Sequence, residues 1–389
     1  MRVAILGSTG SIGASTLRVI ERHPDRFRVT ALTANRSVDL LHEQVQRHRP
    51  ARVVVTDESA YEDFGESEAH WVGGREALME VVSCADVDVV VNALVGFAGL
   101  EPTLGALEAG KRLALANKES LVAGGDLVLR ALEAGGGELV PVDSEHSAIL
   151  QCLAGHPMQD VARLVLTASG GPFRGWKQDR LAGARARDAL RHPTWNMGAK
   201  ITIDSATLAN KALEVIEAHF LYQVPYDRID AVVHPQSVIH SLVEFVDGSV
   251  VAQLGFPTME LPILYALTHP ERLGDPELRT FDPVRSSPLT FEEIDAESFP
   301  LFGIGVRAGR SGGTAPTAFN AANEVAVQAF LAETISFPMI ADIVEHTLQR
   351  TSSSAARDLD DLMDADREAR RIATERVREC QPTVPGSRE

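Results

Sequence analysis

Over the first 145 residues, short runs of β-branched and aliphatic residues alternate with stretches whose apolar positions recur every three or four residues. The runs are RVAIL (2–6), RVTALT (28–33), RVVVT (52–56), VDVVVNAL (87–94) and RLALA (112–116). Near-continuous apolar runs separated by helical spacing predict strands of a parallel sheet, because crossover helices cover both of its faces. ELVPV (138–142) predicts a further strand, which delivers the chain to Asp143-Ser144-Glu145.

Beyond residue 146 the pattern is mixed. RLVLTAS (163–169) predicts a strand, Gly170 to Gly198 is rich in glycine, proline and tryptophan, and Ala206 to Phe220 has helical spacing. The segment 231–256 alternates apolar and polar residues, which predicts an antiparallel sheet with Asp247-Gly248 as its hairpin turn. Residues 271–298 carry Pro, Asp, Glu and Ser without a period and read as a connection. Helical spacing returns at Asn320–Ala332, Pro338–Gln349 and Leu359–Cys380, and the tail 381–389, with two prolines and a glycine, is expected to fray.

A chain of 389 residues, 44% hydrophobic and 23% charged, is long enough for two or three packed domains. Its net charge of −17, with no basic stripe, argues against nucleic acid as a partner. Cys84, Cys152 and Cys380 form no CxxC pair, so neither a disulfide framework nor a zinc knuckle is indicated. Met1 to Leu6 runs straight into an apolar strand without a leader pattern, and Val87–Leu100 is broken by Asp88 and Asn92. The expectation is a cytoplasmic enzyme with no membrane segment.

Candidate chemistry begins at GSTGSIG (7–13), which follows the first strand and opens a helical run. Gly7, Gly10 and Gly13 there allow a tight turn and close approach of a pyrophosphate to helix N–H groups, although a tight strand-to-helix turn alone needs the same residues. The second strand ends in Ala34-Asn35-Arg36-Ser37 rather than the acid that would bind a ribose 2′-hydroxyl. That favours a 2′-phosphate and hence NADPH; taken alone, Arg36 reads first as a solvated surface cation.

Asp143 and Glu145 stand two apart after a predicted strand, so they project to the same side and offer hard oxygen ligands suited to Mg²⁺ or Mn²⁺. Capping of the next helix by Asp143 or Ser144 fits the spacing equally well. His146 reads as a first-turn helix residue and Cys152 as a packed one. In SATLANKALE (205–214), Asn210, Lys211 and Glu214 share a helix face, either for a phosphate and a metal or as a solvated ion-pair face.

These segments together resemble the 1-deoxy-D-xylulose 5-phosphate reductoisomerase family. The resemblance runs in order through GSTGSIG (7–13), LANKESLV (115–122), PVDSEHSAI (141–149), LTASGGPF (166–173), HPTWNMGAKITIDSATLANKALEVIEAH (192–219), HPQSVIHSLVEF (234–245) and NAANEVAV (320–327). It implies an α/β protein with an N-terminal Rossmann-like parallel-sheet domain binding NADPH (1–145) and a central α+β catalytic and substrate domain (146–270). A linker (271–299), a C-terminal helical domain (300–380) and the tail (381–389) complete the expected order.

The resemblance further implies conversion of 1-deoxy-D-xylulose 5-phosphate to 2-C-methyl-D-erythritol 4-phosphate in non-mevalonate isoprenoid biosynthesis, and a homodimer. Thr9, Gly10, Ser11, Ile12, Asn35, Arg36, Ser37, Asn117, Glu119 and Gly198 are expected at NADPH. Asp143, Glu145 and Glu214 are expected at Mg²⁺ or Mn²⁺. Ser144 and Lys118 are expected at the oxygenated carbons of the phosphorylated sugar, and Ser169, Ser205, Asn210 and Lys211 at its phosphate. His192, Trp195 and Met197 fall in a flap over the substrate, for which the glycines of Gly170–Gly198 offer hinges. Ala209, Ala212 and Asn35-Arg36-Ser37 depart from the family's more frequent residues without removing a ligand. An acylating semialdehyde dehydrogenase would need a nucleophilic cysteine beside a base, and none is so placed. A sensor that merely binds NADPH would leave Asp143, Glu145 and Glu214 without a role.

Overall fold

The computed structural model describes residues 1–60, 69–195 and 197–380; the expected frayed tail lies outside them. Strands β1 (Arg2–Leu6), β2 (Arg28–Ala34), β3 (Arg52–Val55), β4 (His70–Gly73), β5 (Val89–Asn92), β6 (Arg112–Leu115) and β7 (Glu138–Pro141) form one parallel sheet in the order β4-β3-β2-β1-β5-β6-β7. The order reverses between β1 and β5, so the crevice at their carboxyl ends is the place for a ligand. β4 was not legible in the sequence. Its four residues pair with β3 through the backbone, which a short stretch such as HWVG does not announce.

Both faces of this sheet are buried. Val3, Ile5, Leu32 and Val91 lie in the core under helices Ser11–Arg22 and Glu260–Thr268, while Ala4, Leu6 and Val90 face helices Arg75–Ser83 and Leu100–Glu108. Helix Glu260–Thr268 is apolar on nearly every side, so it gave no helical period; it returns to the first sheet near β6 and β7, with Ile263, Leu264 and Leu267 in the same core as Val3.

The second sheet has the order β11-β10-β8-β9, with β8 (Val161–Ala168), β9 (Ile229–Val233), β10 (Ile239–Phe245) and β11 (Val250–Leu254). The hairpin between β10 and β11 turns where expected, with Gly248 at φ 84° and Asp247 Oδ1 accepting from Ser249 N at 2.9 Å. The antiparallel expectation fails for β9, which pairs parallel to β8 because His234–Val238 carries the chain across β8 to its far side. The run Ala206–Phe220 is also not one helix. Leu208, at φ 61°, separates helix Ala199–Thr207 from helix Ala209–Tyr222.

Helix Pro300–Ser311, unread in the sequence, precedes helices Ala315–Leu331, Met339–Arg350 and Leu359–Cys380. Phe319, Phe330, Phe337, Ile340 and Val344 share one core with Ile203, Ala206, Leu213 and Ile216. The C-terminal helices therefore brace the helices that carry Ser205, Asn210, Lys211 and Glu214.

Candidate active site

At the end of β1, Gly7 has φ 79°, and a Cβ on Gly13 would meet Ser8 Cα at 2.4 Å, so both positions require glycine. Ser8 is locked below the turn by Gln44 Oε1 at 2.7 Å. No side chain caps helix Ser11–Arg22, and Gly10 and Ser11 are exposed, leaving its first N–H groups open to an anion. At the end of β2, Asn35 Nδ2 donates to Thr56 Oγ1 at 3.0 Å, and the exposed Arg36 pairs with Asp57. Asp57 was missed by sequence reasoning because it belongs to the loop after β3. Ser59 and Arg36 together hold its carboxyl at about 2.

The carboxylate centre lies at the end of β7. Asp143 is the N-cap of helix Ser144–Cys152, accepting from Glu145 N at 3.3 Å through Oδ1, while its Oδ2 faces the Lys118 ammonium. One carboxylate thus both caps a helix and pairs with a buried ammonium. Lys118 opens helix Lys118–Gly135 and also donates to Asn210 Oδ1 and Glu214 Oε1, each at 2.9 Å. Lys211 Nζ stands 3.1 Å from Glu145 Oε1 and also pairs with Glu214, and Ser144 Oγ donates to Glu145 Oε2 at 2.7 Å.

Asp143, Glu145 and Glu214 each present an oxygen within 4.8 Å of the others. Burial and the neighbouring Glu214 push the Glu145 carboxyl up to about 7. Burial acts the same way on Asp143, but Lys118 outweighs it and holds that carboxyl well below the usual range. Three acids are therefore packed against two ammonium groups, with one negative charge in excess.

His146 is more than a first-turn residue. It is fully buried, and its Nε2 lies 2.9 Å from Glu217 Oε2, with Glu217 equally buried. Glu217 was missed; its signal was its place one helical turn after Glu214, between the apolar Val215-Ile216 and Ala218. Cys152 is buried, as expected, and burial pushes its thiol up to about 11.

A cavity of about 340 Å³ joins these groups. Of the expected residues, Ser11, Ile12, Lys118, Asp143, Ser144, Glu145 and Ser169 line it. So do His192, Trp195, Met197, Ser205, Asn210, Lys211 and Glu214. Thr9, Gly10, Asn35, Arg36, Ser37, Asn117, Glu119 and Gly198 do not. Arg18, His240 and Met259 line it without having been singled out. His192 Nδ1 accepts from Trp195 N at 2.9 Å, so in the neutral ring its Nε2–H donates to Ser169 Oγ at 3.0 Å. Burial lowers the His192 pKa, which favours that neutral form.

The hinge expectation for Gly170–Gly198 needs correction. Phe173, Leu181 and Ala189 are core residues, Phe173 stands edge-on to Phe337, and Arg180 lies 3.6 Å over the Trp176 ring. Gly170 and the stretch from His192 to Met197 border the cavity, and of that stretch Asn196 is outside the described residues.

Asn117 caps helix Lys118–Gly135, accepting from Ser120 N at 3.1 Å and donating to Gly96 O at 3.0 Å. Its amide also donates to Glu119 Oε2 at 3.0 Å, and Glu119 Oε1 accepts from Lys200 Nζ at 2.8 Å. Both residues thus have protein partners beside the cavity.

A glycine turn at the switch point of a parallel sheet, opening on a lysine-bridged carboxylate centre, defines a dinucleotide-dependent oxidoreductase. Comparison with known proteins names the family. The model for 1-deoxy-D-xylulose 5-phosphate reductoisomerase matches residues 3–125, that for its C-terminal domain residues 139–222, and that for the DXP reductoisomerase C-terminal domain residues 254–372. The 1-deoxy-D-xylulose 5-phosphate reductoisomerase of Gloeobacter violaceus is 52% identical over 374 residues, 95% of each chain. That of Chloroherpeton thalassium is 50% identical over 381 residues, 97% of this chain and 98% of the relative. The solved structure of the Zymomonas mobilis enzyme in complex with NADPH is 44% identical and superposes with a TM-score of 0.90 over 97% of this chain and 98% of that one. A second, DOX-P reductoisomerase in complex with NADPH, fosmidomycin and magnesium, is 40% identical with a TM-score of 0.91 over the same shares. The chain belongs to the 1-deoxy-D-xylulose 5-phosphate reductoisomerase family.

Proposed function

We propose that the chain converts 1-deoxy-D-xylulose 5-phosphate to 2-C-methyl-D-erythritol 4-phosphate, with NADPH as reductant and Mg²⁺ or Mn²⁺ as metal, in the cavity bounded by Lys118, Asp143 and Glu214. The observation that carries the reading is the convergence of Asp143, Glu145 and Glu214 to within 4.8 Å in the cavity that also holds Ser11 and Ile12 of the glycine turn. Carboxylate oxygens alone make up this set, which suits a hard divalent cation, and its three negative charges outnumber the Lys118 and Lys211 ammonium groups beside it.

When bound, the metal would stabilise charge on the substrate's oxygens and NADPH would supply hydride. The chain's own groups do the rest. Asp143, Glu145 and Glu214 hold the metal, and Lys118, fixed by Asn210, directs a positive charge at the reacting oxygens beside Ser144. Ser169, Ser205, Asn210 and Lys211 hold the phosphate, so that fragments of a carbon–carbon cleavage stay in place for re-addition. His192, Trp195 and Met197 exclude water from the reactive intermediate. Thr9, Gly10, Ser11 and Ile12 cradle the pyrophosphate, Asn35, Arg36 and Ser37 the adenosine phosphate, and Asn117, Glu119 and Gly198 border the remainder of the coenzyme.

The reading includes the division 1–145, 146–270, 271–299, 300–380 and 381–389, with helix Glu260–Thr268 docked on the first unit. It also includes a cytoplasmic homodimer. Strand β11 is a sheet edge with Val250 54%, Val251 38% and Leu254 37% exposed, an apolar edge that a second copy would cover. Among the described residues no helix is long and apolar enough to cross a membrane. Oxidation of NADPH on adding 1-deoxy-D-xylulose 5-phosphate, abolished by chelator and restored by Mn²⁺, is the expected result. Substrate-independent oxidation, or turnover indifferent to chelator, would refute the reading.

A further inference from the structure

One buried ammonium outside the cavity joins two of the elements that frame it. Lys200 lies in the first turn of helix Ala199–Thr207, two residues after Gly198. Its Nζ donates to Glu119 Oε1 at 2.8 Å and lies 2.9 Å from Asp204 Oδ2, with side-chain exposures of 12% for Lys200, 10% for Glu119 and 1% for Asp204. The other Asp204 oxygen accepts from Asn323 Nδ2 at 2.8 Å, and Asn323 belongs to helix Ala315–Leu331. Glu119 follows Lys118 on the first turn of helix Lys118–Gly135.

A single cation therefore ties the downstream end of the His192–Gly198 stretch to the helical turn that carries Lys118, and Asn323 pins the tie to the C-terminal helices. A buried ion pair adds little net stability, because desolvation cancels much of its attraction. What it enforces is geometry, since either carboxylate left without its ammonium is costly. Burial opposes charge on Lys200, yet Asp204 and Glu119 hold its pKa above the usual lysine range.

We propose that Lys200 is a positioning residue: it keeps the helix after His192–Gly198 in register with Lys118, so that this stretch covers the cavity with the Lys118 ammonium already aimed at Asp143 and Glu214. The proposal rests on the reaction assigned above, and the unsubstituted enzyme separates the two. Absence of its turnover with 1-deoxy-D-xylulose 5-phosphate, NADPH and Mn²⁺ would overturn the assignment itself, and this proposal with it.

Given that turnover, Lys200→Met and Lys200→Arg are compared for kcat, KM, melting temperature and tryptic cleavage after Arg191, with and without NADPH, Mn²⁺ and fosmidomycin. Lys200→Met is expected to lower kcat about 10- to 100-fold while the substrate KM moves less than about threefold, as misplacement of a catalytic group does. Ligands should no longer slow cleavage after Arg191 in that variant, and Lys200→Arg should recover most of both properties. A Lys200→Met enzyme that melts earlier yet keeps kcat within about twofold and retains ligand protection would overturn the proposal, leaving Lys200 a stability role alone. Should Lys200→Met not fold, Lys200→Met/Asp204→Asn removes the carboxylate stranded on the same helix while leaving an amide oxygen to accept from Asn323. The same readouts then decide in the same way.

Discussion

Lys118 Nζ stands 2.9 Å from Glu214 Oε1, although the two residues are 96 positions apart. Each sits near the start of its own helix, and both are buried. The left-handed Leu208 breaks the chain so that helix Ala209–Tyr222 starts afresh and turns Asn210, Lys211 and Glu214 toward the end of β7. Without that break, the helix Ala199–Thr207 would continue along its own axis.

Glu214 touches Lys118, Lys211 and Asn210 and converges with Asp143 and Glu145. Glu214→Gln keeps the volume and removes the charge, so kcat should fall on the order of a hundredfold or more, with weaker activation by Mn²⁺. A titration of activity against Mn²⁺ checks this; an unchanged midpoint and rate would remove Glu214 from the metal site.

Arg36 is exposed and pairs with Asp57. Arg36→Ala should weaken NADPH binding by about 1.5 kcal/mol, the low end for a charged hydrogen bond at an exposed site, and leave NADH nearly unaffected. Asp57→Asn should act the other way, tightening NADPH a few-fold by freeing Arg36. Coenzyme fluorescence titrations measure both, and equal losses for the two coenzymes on Arg36→Ala would show that Arg36 serves the fold.

The packing of Phe173, Leu181 and Ala189 separates a fixed part of Gly170–Gly198 from the part at the cavity. Limited trypsinolysis should cut after Arg191 before Lys177 or Arg180. Trp195→Ala should raise the substrate KM while moving the melting temperature little, because Trp195 lines the cavity with its ring 6.4 Å from His240. Early cleavage after Lys177, or a variant that melts early with normal KM, contradicts this assignment.

The connection 271–298 is anchored by Asp275, whose side chain is 0% exposed and accepts from Arg22 Nε at 2.8 Å. Burial raises this carboxyl, but Arg22 and the Glu277 N–H outweigh it and set its pKa below the usual value. A carboxyl depressed in the folded state stabilises the fold above its unfolded pKa of about 3.9, and that contribution is lost as pH falls through the folded pKa. Asp275→Asn should lower the melting temperature by about 1–3 °C at neutral pH, and the gap to the unsubstituted protein should close below about pH 4. A gap independent of pH would show that the carboxylate charge is not what anchors the connection.

Local pattern alone determined a good deal of this protein. Apolar runs in RVAIL and VDVVVNAL specify buried parallel strands because nothing else hides both faces. GSTGSIG specifies its turn because Gly7 needs a positive φ and Gly13 has no room for a Cβ. The chemical types at Asp143, Glu145 and SATLANKALE were visible, but spacing could not choose between a solvated face and a site.

Tertiary structure excluded the solvated face, since Lys118 pairs with Glu214 and Lys211 with Glu145 in the interior, and those pairings depend on where separate helices dock. Other features carry no local signal at all. β4 exists through backbone pairing with β3, helix Glu260–Thr268 is apolar without a period, and Glu217 has meaning only opposite His146. Asp57 reaches Arg36, and Lys200 reaches Glu119, across strands and helices distant in sequence. The physical reason is common to them: periodicity reports how a segment buries its own face, whereas long-range polar pairing depends on the packing of other segments against it.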